Sequence, residues 1–258
     1  MFIGTGNVAQ HIAQSFKAID DIHIIQAFNH INNKRSKEFA KQFNCELVSD
    51  FKRLNTSAHL YIIAVKDDVI ANVANELKNL PIKGTIVHTS GSVSLDVFKD
   101  LKTDFGVYYP LQSFYPNASI NWKNTPILLE GNSKKTLSLL KGIAKTISDS
   151  VKVVSSEKRL NIHLAAVFAC NFTNAMYVAA YQIIEGSLNK TDTKLLLPIM
   201  RDSFSKLEKV HPKLAQTGPA KRNDKTVMQK HLSVLKNNKD LTSVYKIISQ
   251  LISSQQTQ

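Results

Sequence analysis

The third to ninth residues read Ile3-Gly4-Thr5-Gly6-Asn7-Val8-Ala9, an apolar strand end, a glycine turn and a small residue inside an opening helix. Few short patterns restrict a fold as much. Gly4 permits the tight turn. Gly6 has no Cβ to hold a pyrophosphate away from the backbone N–H groups of the helix start, and Ala9 lets that helix lie close on the strand. Taken alone, the match to G-x-G-x-x-A is equally a plain tight turn. Its setting argues for a ligand: an amphipathic helix follows (Val8, Ile12, Phe16), then a second apolar strand over residues 22–28. A dinucleotide is therefore expected on Gly4, Thr5, Gly6, Asn7, Val8 and Ala9. With three residues ahead of Gly4, the first strand is short, and no signal peptide fits before it.

The next 120 or so residues alternate strand and helix signals, as parallel α/β folds do. Strands are expected at 46–48, 60–65, 85–88, 105–109, 126–130 and 151–154, and helices at 35–43, 67–80 and 134–147. The continuous apolar run Leu60 to Val65 suits the buried middle of a parallel sheet. After Ser156 the strand signals stop, and helices are expected near 192–209, 225–236 and 239–253. The reading is an α/β protein, a doubly wound parallel sheet over residues 1–154 followed by an all-α domain over 155–258, with ample length for a core.

Composition narrows the function classes. The chain is 43% hydrophobic and 21% charged, as globular proteins are. Its formal charge of +13 is uneven, +4 over residues 1–150 and +9 over 151–258. The lysines are scattered along the chain, without the basic stripe and interleaved aromatics of a nucleic-acid surface, so no nucleic-acid partner is expected. A positive field for a phosphorylated cofactor or an acidic substrate fits better. Cys45 and Cys170 stand far apart without metal-ligand spacing, which suits free thiols in a reducing cytoplasm and no metal site. From Leu160 to Ile184 there is no Asp, Glu, Lys or Arg. That length would allow a membrane span, but His163, Asn171, Thr173, Asn174 and Gln182 interrupt it. A buried helix in a helical domain or a homodimer interface is the expectation, and no membrane.

Strand ends carry the candidate chemistry, because ligands of open α/β sheets bind there. Ala64, Val65 and Lys66 follow the fourth strand, and His88, Ser90 and Gly91 follow the fifth; all six are expected at the cofactor. After the second strand, NAD-binding folds place an acid for the ribose 2′-hydroxyl. Here Asn29, His30, Lys34 and Arg35 occupy that region with no acid among them, so NADP is favoured over NAD. In Tyr108-Tyr109-Pro110-Leu111-Gln112, Gln112 is the polar candidate and the aromatics serve as wall or core. His163, Asn171 and Asn174 fall within about 80° of one another on an ideal helical wheel, at 100° per residue. His163 is the expected proton donor, with His88 as the alternative, and Asn171, Asn174 and Ser90 complete the catalytic set. The loop Gln216 to Asp224 brings an amide, cations and a carboxylate together, for an anion, a dimer contact or a local Arg222–Asp224 pair.

In order along the chain, GTGNVA, HTSGS, GVYYPLQSF, HLAAVFACNFTN and QTGPAKRND resemble the Rossmann-like proteins whose C-terminal helical domain is catalogued as a domain of unknown function. That family is similar in architecture to pyrroline-5-carboxylate reductases, deazaflavin-dependent NADP reductases and the 6-phosphogluconate dehydrogenase group. The resemblance implies an NAD(P)-dependent oxidoreductase acting on a small carbonyl or imine, dimeric through the helical domain. Relatives in that group often carry Arg where this chain has Asn29-His30. The hydroxyacid-dehydrogenase relatives use Lys and Asn in the region where this chain has His163, Asn171 and Asn174. A non-catalytic dinucleotide-binding or sensing protein is the alternative, using the same cleft without turnover.

Overall fold

A computed structural model describes residues 1–116 and 118–255. The chain divides into two compact units, Met1–Asn171 and Phe172–Gln258.

The first unit is built on one eight-stranded sheet in the order β3-β2-β1-β4-β5-β6-β7-β8. The strands are β1 (Phe2–Ile3), β2 (Gln26–Phe28), β3 (Glu46–Val48), β4 (Leu60–Ile63), β5 (Thr85–His88), β6 (Phe105–Pro110), β7 (Ile127–Gly131) and β8 (Val151–Val153). Helices α1 (Asn7–Phe16), α2 (Lys34–Phe43), α3 (Ile70–Lys78) and α4 (Lys134–Ile147) flank it. The chain winds outward in both directions from β1 and β4, so the switch point lies where the glycine turn leaves β1.

The expected all-parallel pairing fails once. β6 and β7 run antiparallel, with Tyr108 opposite Leu129, while the other neighbouring strands are parallel. Parallel neighbours need a crossover, usually a helix. The β6–β7 connection carries no helix among its described residues, so the chain turns back beside the strand it has just left.

Alternation along the buried strands separates two cores. One face packs Phe2, Ala27, Ile62, Val87, Tyr108 and Leu129 against α1, α2 and α4. The other packs Ile3, Phe28, Tyr61, Ile63 and Ile86 against α3 and Phe98. A third cluster of Val107, Tyr109 and Leu128 receives Ile162 from α5 (Ser156–Ala166). α5 therefore belongs with the sheet, and the first unit runs well past the 154/155 boundary read from the strand pattern.

Arg159 explains this attachment. It is fully buried, paired with Glu130 of β7, and donates to the Val93 carbonyl and to Ser156 Oγ. The Glu130 carboxylate also accepts from the Ser156 backbone N–H and hydroxyl, both at 2.8 Å. A π-helical segment, Val167–Phe172, follows α5.

The second unit contains α6 (Thr173–Glu185), α7 (Leu197–Leu207), α8 (Pro212–Ala215), α9 (Lys225–Val234) and α10 (Lys239–Ser254). Among its described residues, full burial is limited to Thr193, Ala220 and Ser249. Met176, Val178, Ile199, Phe204, Leu207 and Ile247 are exposed. In the loop before α9, Asp224 caps that helix by accepting from Val227 N at 3.0 Å, and Lys221 Nζ donates to the Gln216 carbonyl. No Arg222–Asp224 ion pair forms among the described residues. By length and composition alone, the helical stretch Ser156–Glu185 could cross a membrane, with a hydropathy of 1.3 and none of its most apolar window buried.

Removing Glu130 leaves a buried guanidinium without its counter-charge, a change that typically costs about 3–5 kcal/mol. Glu130→Leu is expected to lower unfolding stability by that order in denaturant titration. A loss below about 1 kcal/mol would show that the pair does not anchor α5.

Candidate functional site

The glycine turn has the geometry of a phosphate cradle. Gly4 sits at φ +98°, and a Cβ there would lie 2.5 Å from the Ala64 carbonyl oxygen and 2.9 Å from Val65 Cγ1. No other residue fits at that position. Gly6 faces the other way: the nearest atom to a Cβ would be Ala64 O at 3.9 Å, leaving open space above the turn. Gly6 is also the N-cap of α1 and supplies no side-chain cap. The first N–H groups of α1, from Asn7, Val8 and Ala9, are left without that partner at the positive end of the helix dipole. The residues present thus fit a pyrophosphate.

Side chains from the neighbouring strand ends close around the turn. Asn29 Nδ2 donates to Thr5 Oγ1 at 2.7 Å, and the Arg35 guanidinium donates to Asn7 Oδ1. Asn7 Nδ2 reaches the Phe114 carbonyl at 3.2 Å, and His11 Nε2 lies 3.0 Å from the Tyr115 carbonyl, so the loop after β6 crosses the start of α1. Of the cations expected here, Arg35 is beside the turn. Lys34 is exposed and faces Glu38 at 3.9 Å. His30 and Lys66 are exposed as well.

The HTSGS turn after β5 is tied to the end of β4 by a carboxylate that the sequence reading had not singled out. Asp67 accepts from Ser90 Oγ at 2.7 Å and from Ser92 Oγ. Ser90 Oγ also receives the backbone N–H groups of Ser92 and Val93. Its proton and lone pairs are committed, so Ser90 shapes the turn and has no free hydroxyl for chemistry. His88 is similarly withdrawn. It is fully buried against Phe98, its Nδ1 accepts from Ser90 N, and its Nε2 has no hydrogen-bond partner among the described residues. Burial, reinforced by the nearby Arg159 charge, lowers its pKa to about 3. The ring is neutral at pH 7 and too enclosed to serve as the alternative proton donor or to touch a cofactor.

His163 stands differently. Arg159 and His163 are four residues apart on α5 and share a face. With Arg159 held by Glu130, the imidazole arrives beside β6, where Nδ1 lies 3.0 Å from Tyr109 Oη. Gly91 closes the corner: a Cβ there would be 2.7 Å from His163 Cγ and 2.9 Å from Tyr109 Cζ. A cavity of about 270 Å³ opens at this point, lined by Tyr109, Leu111, Gln112, His163, Cys170 and Asn171 among others. None of its lining residues carries a formal charge.

His163 and Asn171 thus meet in one pocket, and Gln112 joins them. Asn174 lies in the second unit, on α6. The wheel that aligned it with His163 assumed an unbroken α-helix. The π-helical segment Val167–Phe172, with its i→i+5 hydrogen bonding, changes the angular step between them. Tyr109, read in the sequence only as wall or core, is the pocket's partner to His163; the two are 54 positions apart.

Residues 1–90 match the family described as NADP oxidoreductase, coenzyme F420-dependent, and residues 125–252 match a domain of unknown function, DUF2520. Among curated proteins none matches. A Bacteroides fragilis structure described as a candidate NADP oxidoreductase is 32% identical, with a TM-score of 0.90 over 98% of this chain and 96% of that one. A Thermotoga maritima protein is 26% identical, TM-score 0.80, over 100% and 99% of the two chains. An imine reductase from Myxococcus stipitatus in complex with NADP+ shares the fold at 14% identity and TM-score 0.64, over 98% and 92%. With a 32% identical relative matched along nearly its whole length, the chain belongs to the family of Rossmann-type NADP oxidoreductases that carry the DUF2520 helical domain.

Proposed function

We propose that this protein transfers hydride between NADP and a small carbonyl or imine substrate. The observation that carries this reading is a pair of features in one unit. An open glycine turn at an uncapped helix start has Arg35 beside it, and an uncharged pocket holds His163 and Asn171. When bound, the nicotinamide supplies the hydride. Gly4 to Ala9 would hold the pyrophosphate on the α1 backbone N–H groups. Arg35, the basic group next to that turn, would meet a 2′-phosphate through charge-assisted hydrogen bonds. His163 is the acid group: an imidazole N–H stabilises the charge that develops on the substrate oxygen or nitrogen, and the doubly protonated ring gives that atom its proton and is left as neutral imidazole. Asn171 orients the substrate's polar groups. The NADP-bound imine reductase supports this reading by its shared fold.

The second unit supports a homodimer. Burying a few side chains does not offset the entropy of ordering several helices. Its apolar side chains, together with a groove of about 360 Å³ lined by Met176, Ala180, Ile183, Leu241, Val244 and Ile248, need a cover. A second copy supplies the same helix α6, uncharged from Thr173 to Ile184, and a closed two-fold pairing buries both faces at once. Polar interruptions such as Asn174 and Gln182 fit that setting better than lipid. Half-buried Cys45 and exposed Cys170 are free thiols, consistent with a cytoplasmic site of action.

Three outcomes test this. Calorimetry should give micromolar or tighter NADPH binding and weaker NADH binding. Gly6→Val should abolish both, and Arg35→Ala should weaken NADPH roughly tenfold or more while sparing NADH; unchanged binding in Gly6→Val would refute the cofactor site. Light scattering at micromolar concentration should report a dimer that Val178→Asp with Ile183→Asp converts to monomer, and a monomeric wild type contradicts the interface. Finally, His163→Gln should keep NADPH affinity and lower turnover by roughly 10²–10⁴. A lower melting temperature with intact turnover would instead make His163 a structural residue.

A further inference from the structure

The Tyr109–His163 contact has more structure than a packing role requires. Tyr109 is 9% exposed, and its ring meets the imidazole edge-on, at 5.9 Å between centroids and 78° between planes. Its hydroxyl has a single partner among the described residues, His163 Nδ1. A neutral imidazole has one nitrogen that donates and one that accepts. If Nδ1 carried the hydrogen, the phenol oxygen would accept it and the phenol's own proton would be left without a protein acceptor among the described residues, a costly arrangement on a side chain only 9% exposed. If the phenol donates, both groups are satisfied and the imidazole hydrogen resides on Nε2. Burial, helped by the Asp67 carboxylate, pushes the Tyr109 pKa up, so the group stays a phenol and retains the proton it donates.

Gly91 leaves the pair no latitude. The HTSGS turn lies so close that a Cβ would meet Cγ and Nδ1 of His163, both at 2.7 Å. The turn is in turn pinned by Asp67 through Ser90 and Ser92. A flipped ring would exchange Nδ1 for a carbon opposite the buried phenol. Nε2 remains as the nitrogen without a protein partner among the described residues, on a side chain that lines the pocket with Asn171.

We propose that Tyr109 is a positioning residue that holds the neutral imidazole of His163 as its Nε2–H tautomer, so that the ring offers a hydrogen-bond donor to the substrate heteroatom. This rests on the reductase reading for its purpose and on local geometry for its existence. Where the ring carries both protons, the same phenol oxygen accepts from Nδ1–H, and the orientation is kept. Without the phenol the two tautomers exchange, and in one of them a lone pair faces the oxygen or nitrogen that is gaining negative charge.

The test is a long-range proton–nitrogen NMR spectrum of the full chain labelled with ¹⁵N-histidine, at about pH 8.5, two units above an ordinary imidazole pKa. Of the eight histidines, His163 is assigned by the signal lost in His163→Gln. Wild type should show a protonated Nε2 and an acceptor Nδ1. Tyr109→Phe should show averaged tautomers, with NADPH affinity retained and turnover lowered roughly 10- to 10²-fold, the scale of a misplaced catalytic group. A protonated Nδ1 in wild type overturns the proposal even if Tyr109→Phe fails to fold, and so does an unchanged tautomer in Tyr109→Phe. A locked Nε2–H in a protein that turns over no carbonyl or imine would overturn the reductase reading and leave the Tyr109 arrangement standing.

Discussion

The candidate site depends on one buried ion pair. Arg159 gives up water completely to meet Glu130, and the gain is placement more than stability, since such pairs roughly break even against apolar packing. Three groups receive the guanidinium: a carboxylate on β7, the Val93 carbonyl in the stretch after β5, and the Ser156 hydroxyl at the start of α5. The helix is thereby set in both rotation and height. His163, one turn further on, then has a single place to go, between Tyr109 and Gly91. Had α5 been held by apolar contacts alone, a small rotation would have cost little and carried the imidazole away from the phenol.

The cofactor side is organised by a different constraint, close backbone approach. Gly4 must turn over the end of β4 because Ala64 O lies beneath it, and Gly6 must leave the space above the turn empty. Asn29, Arg35 and Asn7 then link the second strand's exit to the first helix, while Asp67 links the exits of β4 and β5. The carboxyl ends of β1 and β2, and those of β4 and β5, are fastened in pairs by side chains and not by the sheet alone. Such fastening suits a site whose donors must keep their geometry as charge develops.

The helical unit follows neither pattern. Its helix α6, without formal charge from Thr173 to Ile184, and its exposed Leu, Ile, Phe and Met side chains are the features on which the proposed homodimer rests. The first unit has a closed core on both faces of its sheet. The second has apolar surface in excess of what its own helices cover.

Much of this was legible in the residues because the signals are local. Glycine spacing, the apolar runs of the strands, the missing acid after Phe28 and the change to helical periodicity after Ser156 act over a few neighbours, where backbone sterics and hydrophobic periodicity decide. Strand direction between β6 and β7 was not legible, since it turns on a connection that declines to form a helix. Nor was the π-helical step over Val167–Phe172, whose i→i+5 hydrogen-bond register breaks the wheel that aligned Asn174 with His163. The roles of Ser90, His88 and Tyr109 were decided last of all. Serine, histidine and tyrosine each can act or merely pack. Which one has a free proton depends on Asp67, Arg159 and His163, residues brought near them across 23 to 71 positions of chain. The sequence by itself determined that a dinucleotide turn and a helix bearing His163 exist; the tertiary structure decided which polar atoms stay unpaired, because desolvation and hydrogen bonding act between residues the fold brings together.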